Sequence, residues 1–217
     1  MINKELKKRI LSSTILIPVS FFFIFEGSIT FIFFLSIIFL TMGFEWFKLT
    51  KKKELIRILG LFFLFFSFYS AVYLRQYIGL NFFLFLIIVC IFTDIGGYIF
   101  GKIFKGPKIT KISPNKTYSG MMGSYFFAII SSLILINNSN LIVGKTYEVT
   151  IELFFLTIII STTSQLGDLI VSFFKRLSKI KDTGKLIPGH GGILDRIDGL
   201  LFAMPIAYVI LNLIILK

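Results

Sequence analysis

The stretch KRLSKIKDTGKLIPGHGGILDRID, Lys175 to Asp198, sets three Asp, six Lys or Arg, four Gly and the only His of the chain between two apolar runs. Charges of both signs alternate there with residues that bend the backbone. Carboxylates suit a hard cation such as Mg²⁺, which keeps several waters and takes its remaining ligands from phosphates. Lys and Arg suit the phosphates themselves. The PGHGG segment brings backbone N–H groups close to a ligand, as phosphate-binding loops do. His190 beside them suits orienting a phosphate or shuttling a proton. A basic membrane anchor needs only the lysines; it does not need the closing DRID.

Two further acids stand inside apolar runs, Asp94 in TDIGGYIFGK and Asp168 in SQLGDLIVSFFKR. An acidic side chain inside a span is costly and marks function. With Asp195 and Asp198 they are expected to converge at one depth, on the face that carries the basic loops. A plainer reading stays open, in which Asp94 and Asp168 pair with Lys102 or Lys175. The glycines beside both acids allow close approach of a helix or a ligand. KIFKGPKITKISPNKTYSG, Lys102 to Gly120, has five lysines and two prolines. It is expected to form an ordered turn whose ammonium groups surround phosphate oxygens, although membrane orientation alone also demands a basic loop. No Cys/His set suggests zinc, and the lone Cys90 is read as packing.

The elements that must position these residues are membrane helices. Of 217 residues, 56% are hydrophobic and 16% charged, against roughly 25% charged in a soluble domain. Apolar runs recur at the length that crosses a hydrocarbon core about 30 Å thick. The expectation is an all-α polytopic transmembrane helical bundle, one integral membrane domain over 1–217. Its seven spans are placed at about 10–26, 28–44, 58–74, 78–100, 121–137, 151–171 and 198–216. Of the 23 basic residues, 20 fall in segments 1–9, 45–57, 101–120 and 172–197. That bias puts these segments, the N-terminus and the site on the cytoplasmic side. It also accounts for the net charge of +12 without nucleic acid.

The N-terminus is basic and then apolar, with no small-residue cleavage site, and is read as a retained signal anchor. Residues 1–92 show no constellation with a chemical reading. Glu26 and Glu45 are taken as interfacial, and KLTKKKELIR as a topological anchor or a contact to anionic lipid.

In these stretches the chain resembles the phosphatidate cytidylyltransferases, the CDP-diacylglycerol synthases. SFFKRLSKIKDTGKLIPGHGGILDRID follows that family's signature, and DIGGYIFGK and ISPNKTYSGMMG precede it in the family's order. The resemblance covers about Thr93 to Leu201, and the chain is short for the family, with fewer spans than expected. It implies cytidylyl transfer from CTP to phosphatidic acid in the inner membrane, with Mg²⁺, a monovalent cation such as K⁺ left open, and a homodimer.

The resemblance further implies Asp168 and Asp195 as Mg²⁺ ligands, with Asp198 and Asp94 as auxiliary groups. Lys175, Arg176 and Arg196 are expected on the phosphates of either substrate. Lys116, Ser113 and Thr117 are expected on the triphosphate or the cytidine, with Lys181 and Asp182 also on substrate. His190 and the backbone of Gly191 and Gly192 are expected to line the leaving pyrophosphate. Two positions depart from the pattern: Ser119 stands where relatives carry an acidic residue, and Val171 where Glu is common. A CTP-dependent polyprenol or phytol kinase is the rival enzyme. An ion-coupled transporter using Asp94 and Asp168 is disfavoured, since the acids gather at one face and no repeat is visible.

Overall fold

The computed structural model describes residues 4–51, 53–110, 113, 115–137, 150–189 and 191–215. His190, Lys111 and Lys145 lie outside them. The described chain is all-α: α1 Lys4–Glu26, α2 Ser28–Leu49, α3 Glu54–Tyr73, α4 Leu80–Phe104, α5 Tyr118–Asn137, α6 Ile151–Leu177 and α7 Leu194–Ile215. Helices α1 to α6 are long and apolar enough to cross a membrane, α3 together with the π-helical turn Leu74–Ile78 that continues it. The chain is a multi-pass membrane protein. Helix α7 is interrupted at Ile197 (φ −126°, ψ 16°), so Asp195 and Asp198 flank a break in its first turns. Isolated bridges, Lys108 with Thr117 and Ile187 with Gly191, close the two polar loops.

The chain divides into two compact units, Met1–Leu80 with Phe174–Asp198, and Asn81–Phe173 with Gly199–Lys217.

In the first unit, α1 passes to α2 through Gly27, whose φ of 67° favours glycine. The last carbonyls of a helix have no intrahelical partner, and Arg75 supplies one. Its Nε donates to the Ile24 carbonyl at 2.7 Å and its Nη2 to the Phe25 carbonyl at 3.0 Å. Helix α2 packs on α3 around Trp46, whose Nε1 donates to the Arg57 carbonyl at 3.2 Å. The Arg57 Nη2 in turn donates to the Lys51 carbonyl at 2.7 Å, and its guanidinium stacks on Phe47. Arg57, part of the run read as a topological anchor, is thus built into the α2–α3 turn.

In the second unit, the glycines of DIGGYIFGK meet those of SGMMG. A Cβ on Gly96 would stand 2.3 Å from the Gly123 carbonyl, and one on Gly120 would stand 2.8 Å from the Gly97 carbonyl. Between membrane helices, where lipid tails are as apolar as Leu, such close backbone packing drives association. These glycines therefore serve helix packing, and the packing places Asp94.

The expected result for Gly123→Ala is a loss of about 1–3 kcal/mol through overpacking, because its Cβ would lie 2.3 Å from the Cβ of Phe100. Gly43→Ala, whose Cβ meets only Leu61 at 3.7 Å, is expected to be neutral or stabilising by helix propensity. Thermal unfolding of the two variants in detergent checks the contrast.

Candidate functional site

Each unit carries its own polar cluster. In the second unit Lys116 Nζ lies 2.6 Å from Asp168 Oδ2 and donates to the Gln165 carbonyl at 3.2 Å. The Ser172 hydroxyl donates to Asp168 Oδ1 at 3.3 Å. Asp94 is within electrostatic reach of both Asp168 and Lys116. Buried hydroxyls fix the helices beneath the cluster: Thr93 donates to Ser161 at 3.0 Å, and Ser124 to the Thr93 carbonyl at 2.8 Å.

In the described residues of the basic loop, which leave out 111, 112 and 114, the backbone is held by hydrogen bonds, as expected of a turn. Ile109 N donates to the Lys116 carbonyl at 2.9 Å, and Lys116 N to the Ser113 carbonyl at 3.1 Å. Thr117 caps α5 by accepting from Gly120 N at 3.1 Å. The Ser119 hydroxyl donates to the Lys105 carbonyl. Val171, the other departure from the family pattern, is 2% exposed; a carboxylate there would be buried.

In the first unit Lys175 Nζ donates to Asp195 Oδ1 at 2.8 Å, with side-chain exposures of 13% and 6%. Asp195 Oδ2 accepts from Thr183 N at 2.8 Å, Gly192 N at 3.0 Å and the Thr183 hydroxyl at 3.0 Å. Burial alone raises a carboxyl pKa. Here Lys175 and the two backbone N–H groups outweigh it and hold Asp195, which lies ahead of the Ile197 break, below the usual carboxylate range. Arg176, Lys181, Asp182 and Arg196 are exposed.

The loop's glycines do two different things. Gly191, at φ 90°, closes a short turn, with Ile187 N donating to its carbonyl at 3.0 Å and its own N–H returning to the Ile187 carbonyl at 3.2 Å. The N–H groups of Gly191 and Gly192, expected from sequence to line the leaving pyrophosphate, donate to the Ile187 carbonyl and to Asp195 Oδ2. Gly192 and Gly184 are glycines for a different reason. A Cβ on Gly192 would stand 2.6 Å from Glu45 Oε2, and one on Gly184 would stand 2.5 Å from Glu45 Oε1.

Glu45 is the residue that sequence reasoning missed. Taken as interfacial, it is instead 2% exposed. Its carboxylate accepts from Ile193 N at 3.0 Å, Leu194 N at 2.9 Å and the Thr183 hydroxyl at 3.0 Å. The signal was present: the span was ended at 44, whereas α2 runs to Leu49, and inside a span an acid marks function. Other N-terminal groups hold the same loop. Arg9 Nε donates to the Gly189 carbonyl at 2.8 Å, the Ser12 hydroxyl to the Pro188 carbonyl at 3.2 Å, and the Ser178 hydroxyl to the Leu49 carbonyl at 2.6 Å. Arg9, Ser12, Glu45 and Leu49, in the N-terminal part that showed no chemistry in the sequence, thus hold the signature stretch.

Asp168 therefore pairs with Lys116, and neither Lys102 nor Lys175 is its partner; Lys102 reaches Tyr98 at 3.4 Å. Asp94 and Asp168 belong to one unit, Asp195 and Asp198 to the other.

The profile of the Cytidylyltransferase family matches residues 55–214. The chain belongs to the cytidylyltransferase family. Relatives within the cytidylyltransferase family include the phosphatidate cytidylyltransferase of Staphylococcus saprophyticus, 39% identical over 135 residues, which is 61% of this chain and 50% of that protein. Those of Staphylococcus aureus strain COL and Staphylococcus epidermidis strain RP62A are 40% and 39% identical over 134 residues, with the same coverage of 61% and 50%. The chain spans about half the length of the curated relatives it matches. The match to the cytidylyltransferase family includes Asp94, Lys116, Asp168, Lys175 and Asp195, and it begins after Glu45.

Proposed function

We propose that the chain transfers the cytidylyl group of CTP to the phosphate of phosphatidic acid, giving CDP-diacylglycerol and pyrophosphate. The observation that carries this reading is the Lys175–Asp195–Thr183 cluster. It builds the signature stretch of a cytidylyltransferase around a carboxylate held ready by an ammonium group and backbone N–H donors. The names of its relatives agree. The 20-to-3 distribution of basic residues supports a site on the cytoplasmic side of the inner membrane, with the N-terminus in the cytoplasm. Phosphatidic acid would bring its headgroup to that depth from the bilayer, while CTP arrives from the cytosol.

Among the described residues no group of three or more His, Cys, Asp or Glu forms a metal cage. The donor set fits Mg²⁺ in its usual manner, one or two carboxylates with water and substrate phosphates completing the shell. Asp168 and Asp195 each face a cationic group, at 2.6 and 2.8 Å, and we propose each of them as a carboxylate that takes Mg²⁺. Mg²⁺, when bound, supplies charge that offsets the repulsion between the two anionic substrates.

The chain's own groups do the rest. Lys116 and Lys175 neutralise the carboxylates until substrate phosphates compete for them. Arg176, Lys181 and Arg196, all exposed, bind phosphate oxygens, Arg in bidentate fashion. The lipid phosphate oxygen attacks the α-phosphorus of CTP in line with the departing pyrophosphate. Since the attacking oxygen belongs to the lipid, no covalent enzyme intermediate is required.

The test is the product formed by purified protein in detergent with CTP, phosphatidic acid and Mg²⁺. CDP-diacylglycerol and pyrophosphate in equal amounts are expected. CDP with a newly phosphorylated lipid would contradict the reading and favour a CTP-dependent lipid kinase.

A further inference from the structure

The geometry points to Glu45 as a positioning residue that acts through Thr183 to set Asp195, an inference that rests on the proposed cytidylyl transfer for its kinetic consequence. Three features make Glu45 more than a buried acid with satisfied oxygens. First, its carboxylate takes the N–H groups of Ile193 and Leu194, backbone donors at the start of α7 that no helix satisfies internally. It therefore caps α7 from a helix nearly 150 residues earlier in the chain. Second, it shares one hydroxyl with Asp195. The Thr183 Oγ1 stands 3.0 Å from both Glu45 Oε2 and Asp195 Oδ2. A hydroxyl has one proton to give, so the two carboxylates are coupled through it. Third, the loop leaves room for this network: a Cβ on Gly184 would meet Glu45 Oε1 at 2.5 Å, and one on Gly192 would crowd the Thr183 hydroxyl first and then both Glu45 oxygens.

Glu45 does not touch the reacting groups. It fixes where α7 begins and which way the Thr183 hydroxyl points, and so the direction in which Asp195 Oδ1 faces Lys175. Partners that orient a ligating carboxylate typically contribute 10- to 100-fold in activity.

The test compares Glu45→Gln, Thr183→Ser, Thr183→Val and Leu64→Ala in the full chain in detergent. Leu64 is buried in the same unit at 2% exposure and stands in for a purely structural loss. Glu45→Gln keeps the volume and one acceptor, but its amide nitrogen cannot accept an N–H. Turnover is expected to fall about 10- to 100-fold in Glu45→Gln and Thr183→Val, with the KM for phosphatidic acid unchanged. Thr183→Ser, which keeps the hydroxyl, restores most of the activity. The Glu45→Gln/Thr183→Val double variant falls little further than either single one, because both break the same link.

A second readout does not depend on activity. Lys179, Lys181 and Lys185 are exposed on this loop, and trypsin should cut after them faster in Glu45→Gln and Thr183→Val at a temperature where each variant remains folded. Leu64→Ala lowers the melting temperature while keeping wild-type turnover and wild-type loop cleavage. Wild-type turnover and cleavage in Glu45→Gln would overturn the inference, as would additive effects in the double variant or identical behaviour of Glu45→Gln and Leu64→Ala. If Glu45→Gln does not fold, the Thr183 pair decides on the same two readouts. If the wild type makes no CDP-diacylglycerol, the proposed reaction fails, and the trypsin comparison still decides whether Glu45 holds the loop.

Discussion

Asp195→Asn is expected to fold and to lose activity by about 10²–10³-fold, the effect of removing one preorganised charge-stabilising group, or about 2.7–4 kcal/mol of the barrier. Asparagine keeps an oxygen for the N–H groups of Thr183 and Gly192. Its amide nitrogen then faces the Lys175 ammonium, donor against donor, and the pair is lost. Asp195→Ala is expected to lose as much activity and more stability, since the two backbone donors are also left without an acceptor.

The same contacts make stability depend on pH. The folded Asp195 carboxyl lies below its ordinary value, so its contribution is fully present above the ordinary carboxylate range and fades as pH falls through the lowered folded value. Wild type and Asp195→Asn should therefore differ most in thermal stability near neutrality and converge on acidification. A difference that grows in acid would contradict the pairing.

Asp168→Ala is the second large effect, again an expected loss of about 10²–10³-fold in turnover, here with little loss of fold. The reason lies in Lys116. Its ion pair with Asp168 is its shortest contact, at 2.6 Å, but it keeps the Gln165 carbonyl at 3.2 Å and has Asp94 within electrostatic reach. An ammonium deprived of Asp168 is therefore not left alone. Asp94→Asn should cost less, since it leaves the Lys116–Asp168 pair intact. Circular dichroism and melting temperature in detergent, measured beside turnover, separate the two variants. Loss of fold in Asp168→Ala in step with loss of activity would remove Asp168 from the site and make it a structural partner of Lys116.

The helical architecture was legible in the sequence because lipid imposes it: apolar runs of the right length have no other stable form in a bilayer. The two polar loops were legible because Gly, Pro and alternating charge have no place in a span. What pairs with what was not legible. The partner of Asp168 is 52 residues away in sequence, on the far side of α5, and no local pattern selects Lys116 over Lys102. Glu45 failed for a narrower reason. Ending α2 five residues early, at 44 in place of Leu49, moved a buried acid to an interface and removed the ground for suspecting it. The glycines of the loop carried an ambiguity that spacing does not resolve: a missing Cβ makes room for a phosphate and for a side chain alike, and the occupant is Glu45 at Gly184 and Thr183 together with Glu45 at Gly192.

The chain aligns to about half the length of its named relatives; the family match over residues 55–214 holds both lysine–carboxylate pairs, and residues before residue 55 hold the loop that carries one of them. The claim that unites these observations is that an oxygen of a lipid phosphate attacks the α-phosphorus of CTP. Protein reconstituted in phosphatidic acid vesicles with Mg²⁺ tests it by the fate of labelled phosphorus. Label at the α position of CTP should enter the lipid, and label at the γ position should leave entirely as pyrophosphate. The γ label in the lipid, with the α label remaining in CDP, would contradict the account.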